Sequence, residues 1–283
     1  MTDIEGSGAY EEIIYEIEGP VATITMNRPD KLNALTDLTQ AEIRHALDIS
    51  ERTREVVGTV ITGAGRGFCS GVDMGALGDM SKAGSLQKKS HDHLAAEPGN
   101  PDNDPNFKSS PTYFLGLRKP LIAAVNGACA GLGFSYATFC DMRFVDKTAR
   151  FITSFGPRGL IAEHGTSWML PRLVGPSNAL DVLWSSRKMD AEEAFRIGYA
   201  NRICEAGDSA IEARNYLRAI AKTSAPISIM MMKKQIYQHL NQDLGLSNTE
   251  STTWMDESLK RDDFKEGIKS FLEKRSPNFE KIK

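Results

Sequence analysis

Two stretches of the chain, VVGTVITG at 56–63 and LIAAVNG at 121–127, are apolar almost without interruption. Runs of this length with no polar alternation predict strands buried on both faces, the pattern of a parallel sheet covered by helices. The amino end reads differently: EEIIYEIEG at 11–19 and VATITMN at 21–27 are β-branched runs broken by Gly19-Pro20, a predicted hairpin that Asn27-Arg28-Pro29-Asp30 brings to a stop. A helix is predicted from Thr36 or Asp37, with Gln40 as the capping-box partner of Asp37 and Ile43, Ala46, Leu47 and Ser50 on one face. After the second buried run, ACAGLGFSYATFCDMRF at 128–144 reads as a glycine-rich turn opening a buried helix. Strand, glycine turn and helix thus occur twice.

Between these units, SLQKKSHDHLAAEPGNPDNDPNFKSSP at 85–111 is rich in Pro, Asp, Asn and Ser and predicts a long mobile loop. NALDVLWSS at 178–186 and DAEEAFRIG at 190–198 are helical patterns, the second with Asp190 as N-cap and Glu193 as its box partner. From Ile211 onward the chain is charged and helical, including DDFKEGIKSFLEKR at 262–275. The predicted organisation is an α/β core over 1–210 and a helical docking or oligomerisation region over 211–283.

Composition narrows the classes. The 283 residues are 41% hydrophobic and 25% charged, typical of a globular chain, and the net charge of −3 supplies no field for nucleic acid or anionic lipid. No stretch approaches the ~20 apolar residues of a membrane span. The acidic amino end reads as neither a secretion signal nor a transit peptide. Cys69, Cys129, Cys140 and Cys204 lie in apolar segments without a CxxC pair, which predicts reduced core thiols and a cytoplasmic location.

The candidate chemistry begins at the glycine loops. GAGRGFCSGVDMG at 63–75 follows a buried strand, but its GxGxG spacing is not the dinucleotide fingerprint, and no Gly-Lys-Ser/Thr follows to make a phosphate loop. GFSYA at 133–137 approximates a nucleophile elbow, with Ser135 as nucleophile and His164 as base of a serine hydrolase; yet Ser135 lies nine residues past Asn126 rather than on the strand-to-helix turn. A third reading needs no nucleophilic side chain. Two glycine turns after buried strands can each aim one backbone N–H at a single carbonyl oxygen, the second helped by a helix amino terminus.

NRPDKLNAL, GRGFCSGVDM, KPLIAAVNGACAGLGFSYATFCDMRF, SWMLPRLVG, DAEEAFRIGYANRI and DDFKEGIKSFLEKR occur in one order from about residue 11 to the end. In this the chain resembles the enoyl-CoA hydratase/isomerase, or crotonase, family. The resemblance implies a spiral of ββα units, a C-terminal helical region that builds homotrimers or homohexamers, an acyl-CoA substrate, and no cofactor or metal beyond the coenzyme A of that substrate. It implies oxyanion-hole N–H groups at Val72 and Leu132, although Leu132 stands where glycine is commoner. Backbone at Ser70 and Gly71 and the segment with Lys31 and Ala34 fall where the family wraps the adenine and phosphates, Gly131 is a further CoA- or substrate-binding position, and Asp73 caps or packs the first turn. Phe271 and Lys274 match tail positions that close over CoA, often that of a neighbouring subunit.

The two glutamates of typical hydratases correspond to Ser135 and Phe155 here, which leaves those positions to line the substrate. Eight residues past Phe155 stands Glu163, at the position resembling the single acid/base of monofunctional enoyl-CoA isomerases. Phe155, Ile161, Ala162 and Trp168 are expected to desolvate it. His164 reads as a structural neighbour of Glu163. Neither the Glu163-His164 pair nor the His91-x-His93 pair has the further ligands a metal needs. The resulting expectation is a double-bond shift through a stabilised enolate, with one-carboxylate hydration, a serine hydrolase and a silent acyl-CoA binder as alternatives.

Overall fold

The structure, a computed structural model, describes residues 10–84, 89–100 and 105–282. β1 (Ile13–Glu18) and β2 (Val21–Met26) form the expected antiparallel hairpin. α1 (Asp37–Arg52) buries Ile43, Ala46, Leu47 and Ser50 as anticipated. Its N-cap is Thr36, however, so the box partner three residues on is Thr39 rather than Gln40. Gln40 instead donates to the Thr36 carbonyl at 3.2 Å.

β3 (Gly58–Gly63), β4 (Gly67–Cys69) and α2 (Met74–Ala83) make the next unit. β5 (Leu121–Val125), β6 (Ala128–Ala130) and α3 (Leu132–Phe139) repeat it, as do β7 (Met142–Asp146), β8 (Arg150–Ile152) and α4 (Thr166–Ser185). β9 (Met189–Asp190), α5 (Ala191–Arg196) and β10 (Arg202–Cys204) follow. From β3 to β8 the strands alternate between two sheets, one ordered β1-β2-β3-β5-β7-β10 and parallel beyond the hairpin, the other β4-β6-β8-β9. This is the anticipated spiral of ββα units. One correction concerns Ala128–Ala130, expected within the glycine turn: it is a strand of the second sheet, too short for any sequence period to reveal.

The continuous apolar runs are explained by two hydrophobic layers. Along β5, Leu121, Ala123 and Val125 join the core between the sheets, while Ile122 and Ala124 face an outer layer with Val21, Val60 and Phe144. The outer layer is closed by α6 (Ser209–Thr223), whose Ala213 and Leu217 are fully buried. The boundary expected at 210/211 therefore assigns to the tail a helix that packs as part of the core. Leu217→Ala is expected to destabilise the whole sheet by about 2–5 kcal/mol in urea unfolding. A detachable α6 would leave the main transition unmoved.

α7 (Pro226–His239) is tied to the core through Asp141, which accepts from Lys233 Nζ at 2.7 Å and from Tyr237 OH at 2.8 Å. α8 (Leu244–Ser258) buries no residue and α9 (Asp262–Leu272) only Ser270. Of the segment expected as a mobile loop, residues 85–88 and 101–104 lie outside the described residues. The described remainder contains two short 3-10 turns, and α1 holds part of it: Arg44 Nε donates to Ala96 O at 2.7 Å, and Asp37 accepts from Lys89 N at 2.9 Å. His91 and His93 stack edge to face there. The four cysteines are free and buried, and no helix of the described residues is long and apolar enough to cross a membrane.

Candidate active site

The first turn follows β4. Gly71 takes a φ of +108°, which glycine adopts without strain. Beyond it Val72 forms an isolated parallel bridge with Leu35: Leu35 N donates to Gly71 O at 2.7 Å and Asp73 N to Leu35 O at 3.0 Å. In such a pairing the residues flanking Val72 use up Leu35, so the Val72 N–H itself points the other way. Ser70 is fixed to the neighbouring segment by its N–H on Leu32 O at 2.9 Å and its hydroxyl on Lys31 O at 3.1 Å. Lys31 is exposed and Ala34 buried along that segment.

The second turn follows β6. Gly131 has φ +50° and donates to Ile152 O at 3.0 Å. Leu132 then opens α3, where an N–H has no carbonyl one turn back and the helix dipole adds partial positive charge. The turns touch: a Cβ placed on Gly71 would lie 3.6 Å from Leu132 N and 3.7 Å from the Gly131 Cα. One residue on, a Cβ on Gly133 would collide with Cys69 O at 2.5 Å, so α3 reaches β4 only because Gly133 has none. The turns that carry the two expected donors, Val72 and Leu132, are thereby packed against one another. Beside them, burial pushes the Cys69 thiol up to about 12.

Ser135 lies inside α3, fully buried, with its hydroxyl 3.0 Å from Thr166 Oγ1. This corrects the nucleophile-elbow reading, since a wholly enclosed hydroxyl in mid-helix cannot be approached by a carbonyl carbon. It also gives Ser135 no exposed surface for substrate as the chain stands. Phe155 is 4% exposed and lines an apolar groove of about 650 Å³ with Leu183 and Trp184. Glu163 precedes α4, its carbonyl accepting from Thr166 N at 2.9 Å, and its side chain is 35% exposed. Ile161, expected to shield it, is 80% exposed. The apolar enclosure anticipated around Glu163 is therefore open on that side. His164 Nε2 stands 3.7 Å from Glu163 Oε2, too long for a hydrogen bond but within ion-pair range when the imidazole is protonated. His164 itself adopts a left-handed φ of +55°.

Asp73 caps α2, accepting from Gly75 N at 2.9 Å, and pairs with Arg28 Nη2 at 3.1 Å. Burial by itself would raise its carboxyl, but the Gly75 N–H and the Arg28 guanidinium outweigh it and hold the group below the usual range. Phe271 (82% exposed) and Lys274 stand at the end of α9 and make no hydrogen bond or ion pair to either glycine turn among the described residues. Sequence reasoning passed over Asn33, which is 1% exposed: its amide donates to Ala64 O at 2.9 Å and Gly67 O at 2.8 Å and accepts from Arg28 N at 2.9 Å. Its only signal was an amide inside NRPDKLNAL, a segment that also holds Asn27.

A family model described as enoyl-CoA hydratase/isomerase matches residues 16–282. The chain is 34% identical over 275 residues to a probable enoyl-CoA hydratase of Rhodobacter capsulatus, covering 96% of this chain and 98% of that one. It is 29% identical over 275 residues to the 1,2-epoxyphenylacetyl-CoA isomerase of Escherichia coli, covering 95% and 98% respectively. The crystal structure of an enoyl-CoA hydratase/isomerase from Mycobacterium paratuberculosis superposes with a TM-score of 0.82 at 28% identity, covering 96% of this chain and 99% of the other.

Proposed function

The chain belongs to the enoyl-CoA hydratase/isomerase family, and from that premise we propose that it moves a carbon–carbon double bond in an enoyl-CoA, with Glu163 as its single acid/base. The thioester oxygen sits between the N–H groups of Val72 and Leu132. Glu163 takes a proton from C2 of a 3-enoyl-CoA, negative charge gathers on the oxygen as a dienolate forms, and the same carboxyl returns the proton at C4 to give the 2-enoyl isomer. Lys31, Ala34, Ser70, Gly71 and Gly131 flank the CoA and thioester in this reading.

The observation that carries it is the state of Ser135. Where the resemblance puts a hydratase's first glutamate stands a buried hydroxyl bonded to Thr166, and Phe155 occupies the second position. Glu163 is the family-matched carboxylate that remains. Hydration with one carboxylate is the second reading, favoured by the names of relatives such as the Rhodobacter capsulatus probable hydratase. Matched 2-enoyl- and 3-enoyl-CoA panels in D2O separate the two: isomer interconversion with deuterium at C2 and C4 is expected, whereas accumulation of 3-hydroxyacyl-CoA means hydration. Acyl-CoA binding without α-proton exchange would make the chain a silent binder.

The tail enters the same proposal as the lid of a homotrimer or homohexamer. Phe264, Ile268, Phe271 and Leu272 expose 45%, 51%, 82% and 74% of their surfaces on one short helix, more than a solvated helix leaves open without a partner. If Phe271 covers bound CoA, Phe271→Ala raises KM about ten-fold and leaves kcat near wild type in steady-state assays. An unchanged KM removes Phe271 from the site.

A further inference from the structure

The Val72 amide is held by little of its own. Its bridge to Leu35 is a single pair with two hydrogen bonds, and the residue before it, Gly71, is the most permissive in the chain's repertoire. An N–H that must meet a developing charge needs a fixed plane. Arg28, just past β2, supplies contacts on both sides of the bridge. Its Nη1 donates to Ala34 O, the residue before Leu35, at 2.5 Å, and its Nη2 reaches Asp73 Oδ2, the residue after Val72, at 3.1 Å. Its Nε lies 3.2 Å from Glu12 Oε1, and Glu12 also receives the hydroxyls of Thr36 and Thr39 at the start of α1. All three charged side chains are four-fifths buried or nearly so. The guanidinium fork thus spans three segments, which a lysine's point charge would not do.

We propose that Arg28 is a positioning residue for the reaction, clamping both strands of the Leu35–Val72 bridge so that the Val72 N–H stays aimed at the thioester oxygen. The inference rests on the role given above to Val72. Arg28→Met, Arg28→Lys and Asp73→Asn are compared with wild type by steady-state kinetics, by calorimetric affinity for coenzyme A, and by amide hydrogen exchange at Val72 and Leu132.

Arg28→Met is expected to lower kcat by roughly 10- to 100-fold, leave coenzyme A affinity unchanged, and speed exchange at Val72 while Leu132 keeps its wild-type rate. Arg28→Lys recovers part of kcat, and Asp73→Asn shows the same pattern more weakly. Should Arg28→Met not fold, the near-isosteric Asp73→Asn carries the comparison alone. Unchanged exchange at Val72 overturns the clamp whatever the activity. Loss of kcat and of coenzyme A affinity in equal proportion also overturns it, making Arg28 a brace of the CoA-binding segment. A wild type that turns over neither enoyl isomer defeats the functional reading separately, because the exchange measurement needs no turnover.

Discussion

Glu163→Gln leaves the fold intact and lowers C2 proton exchange and turnover by roughly 10²- to 10⁴-fold. The size of the effect follows from what the substitution removes. Glutamine has the same shape, and the Glu163 side chain is 35% exposed, so its replacement changes stability by no more than about 0.5 kcal/mol. A carboxamide cannot accept a proton from carbon, however, and Ser135 and Phe155 offer no substitute. The proposed oxyanion donors at Val72 and Leu132 are untouched by the substitution, so residual exchange above the solution rate is expected to remain and KM to move little. A variant retaining full exchange in D2O would mean that water or another side chain moves the proton, and would return the assignment to His164 or beyond.

Gly71→Ala lowers kcat by roughly 10²- to 10³-fold, a larger loss than its stability change accounts for. At φ +108° an L side chain is strained, on the order of 1–3 kcal/mol. The new methyl also stands 3.2 Å from Ala130 O and 3.6 Å from Leu132 N. Relief parts the two turns, which in the proposed mechanism separates the donors that converge on one oxygen. Gly207→Ala separates strain from geometry. Gly207 has φ +92° and nothing within 4 Å of its Cβ position, in the link between β10 and α6. It is expected to lower the melting temperature comparably while kcat stays at the wild-type value. Equal kcat in the two variants would show that parting the turns does not matter to the reaction.

The legible parts of the fold were those where one residue type decides the outcome locally. β3 and β5 announced themselves because strands buried on both faces leave no room for charged residues and little for polar ones, β3 admitting only Thr59 and Thr62. α1 was readable from the spacing of Ile43, Ala46 and Leu47, but its cap was misplaced by one residue, since Thr36 and Asp37 are both good caps and the choice fell to Thr39 and Glu12. The three-residue strands β4, β6 and β8 could not be read, because three residues define no period. α6 looked like the start of a charged tail; only the position of Ala213 and Leu217 against Val60 and Ile122 makes it core.

The sequence by itself determined the order of the motifs: two glycine turns after two buried strands, and the segments that resemble one family, a resemblance that in turn implies Glu163 as the acid where Ser135 and Phe155 replace two glutamates. Those are properties of residue type and spacing, which survive without coordinates. Tertiary structure alone decided that the Gly71 turn packs against the turn of Leu132, that the Ser135 hydroxyl is spent on Thr166, that Ile161 faces solvent, and that Arg28 reaches Asp73 across 45 positions of sequence. The physical reason is common to all four. Each depends on whether segments far apart in the chain meet, which is chosen by the packing of two sheets and their helices, and side-chain identity at either end leaves that choice open.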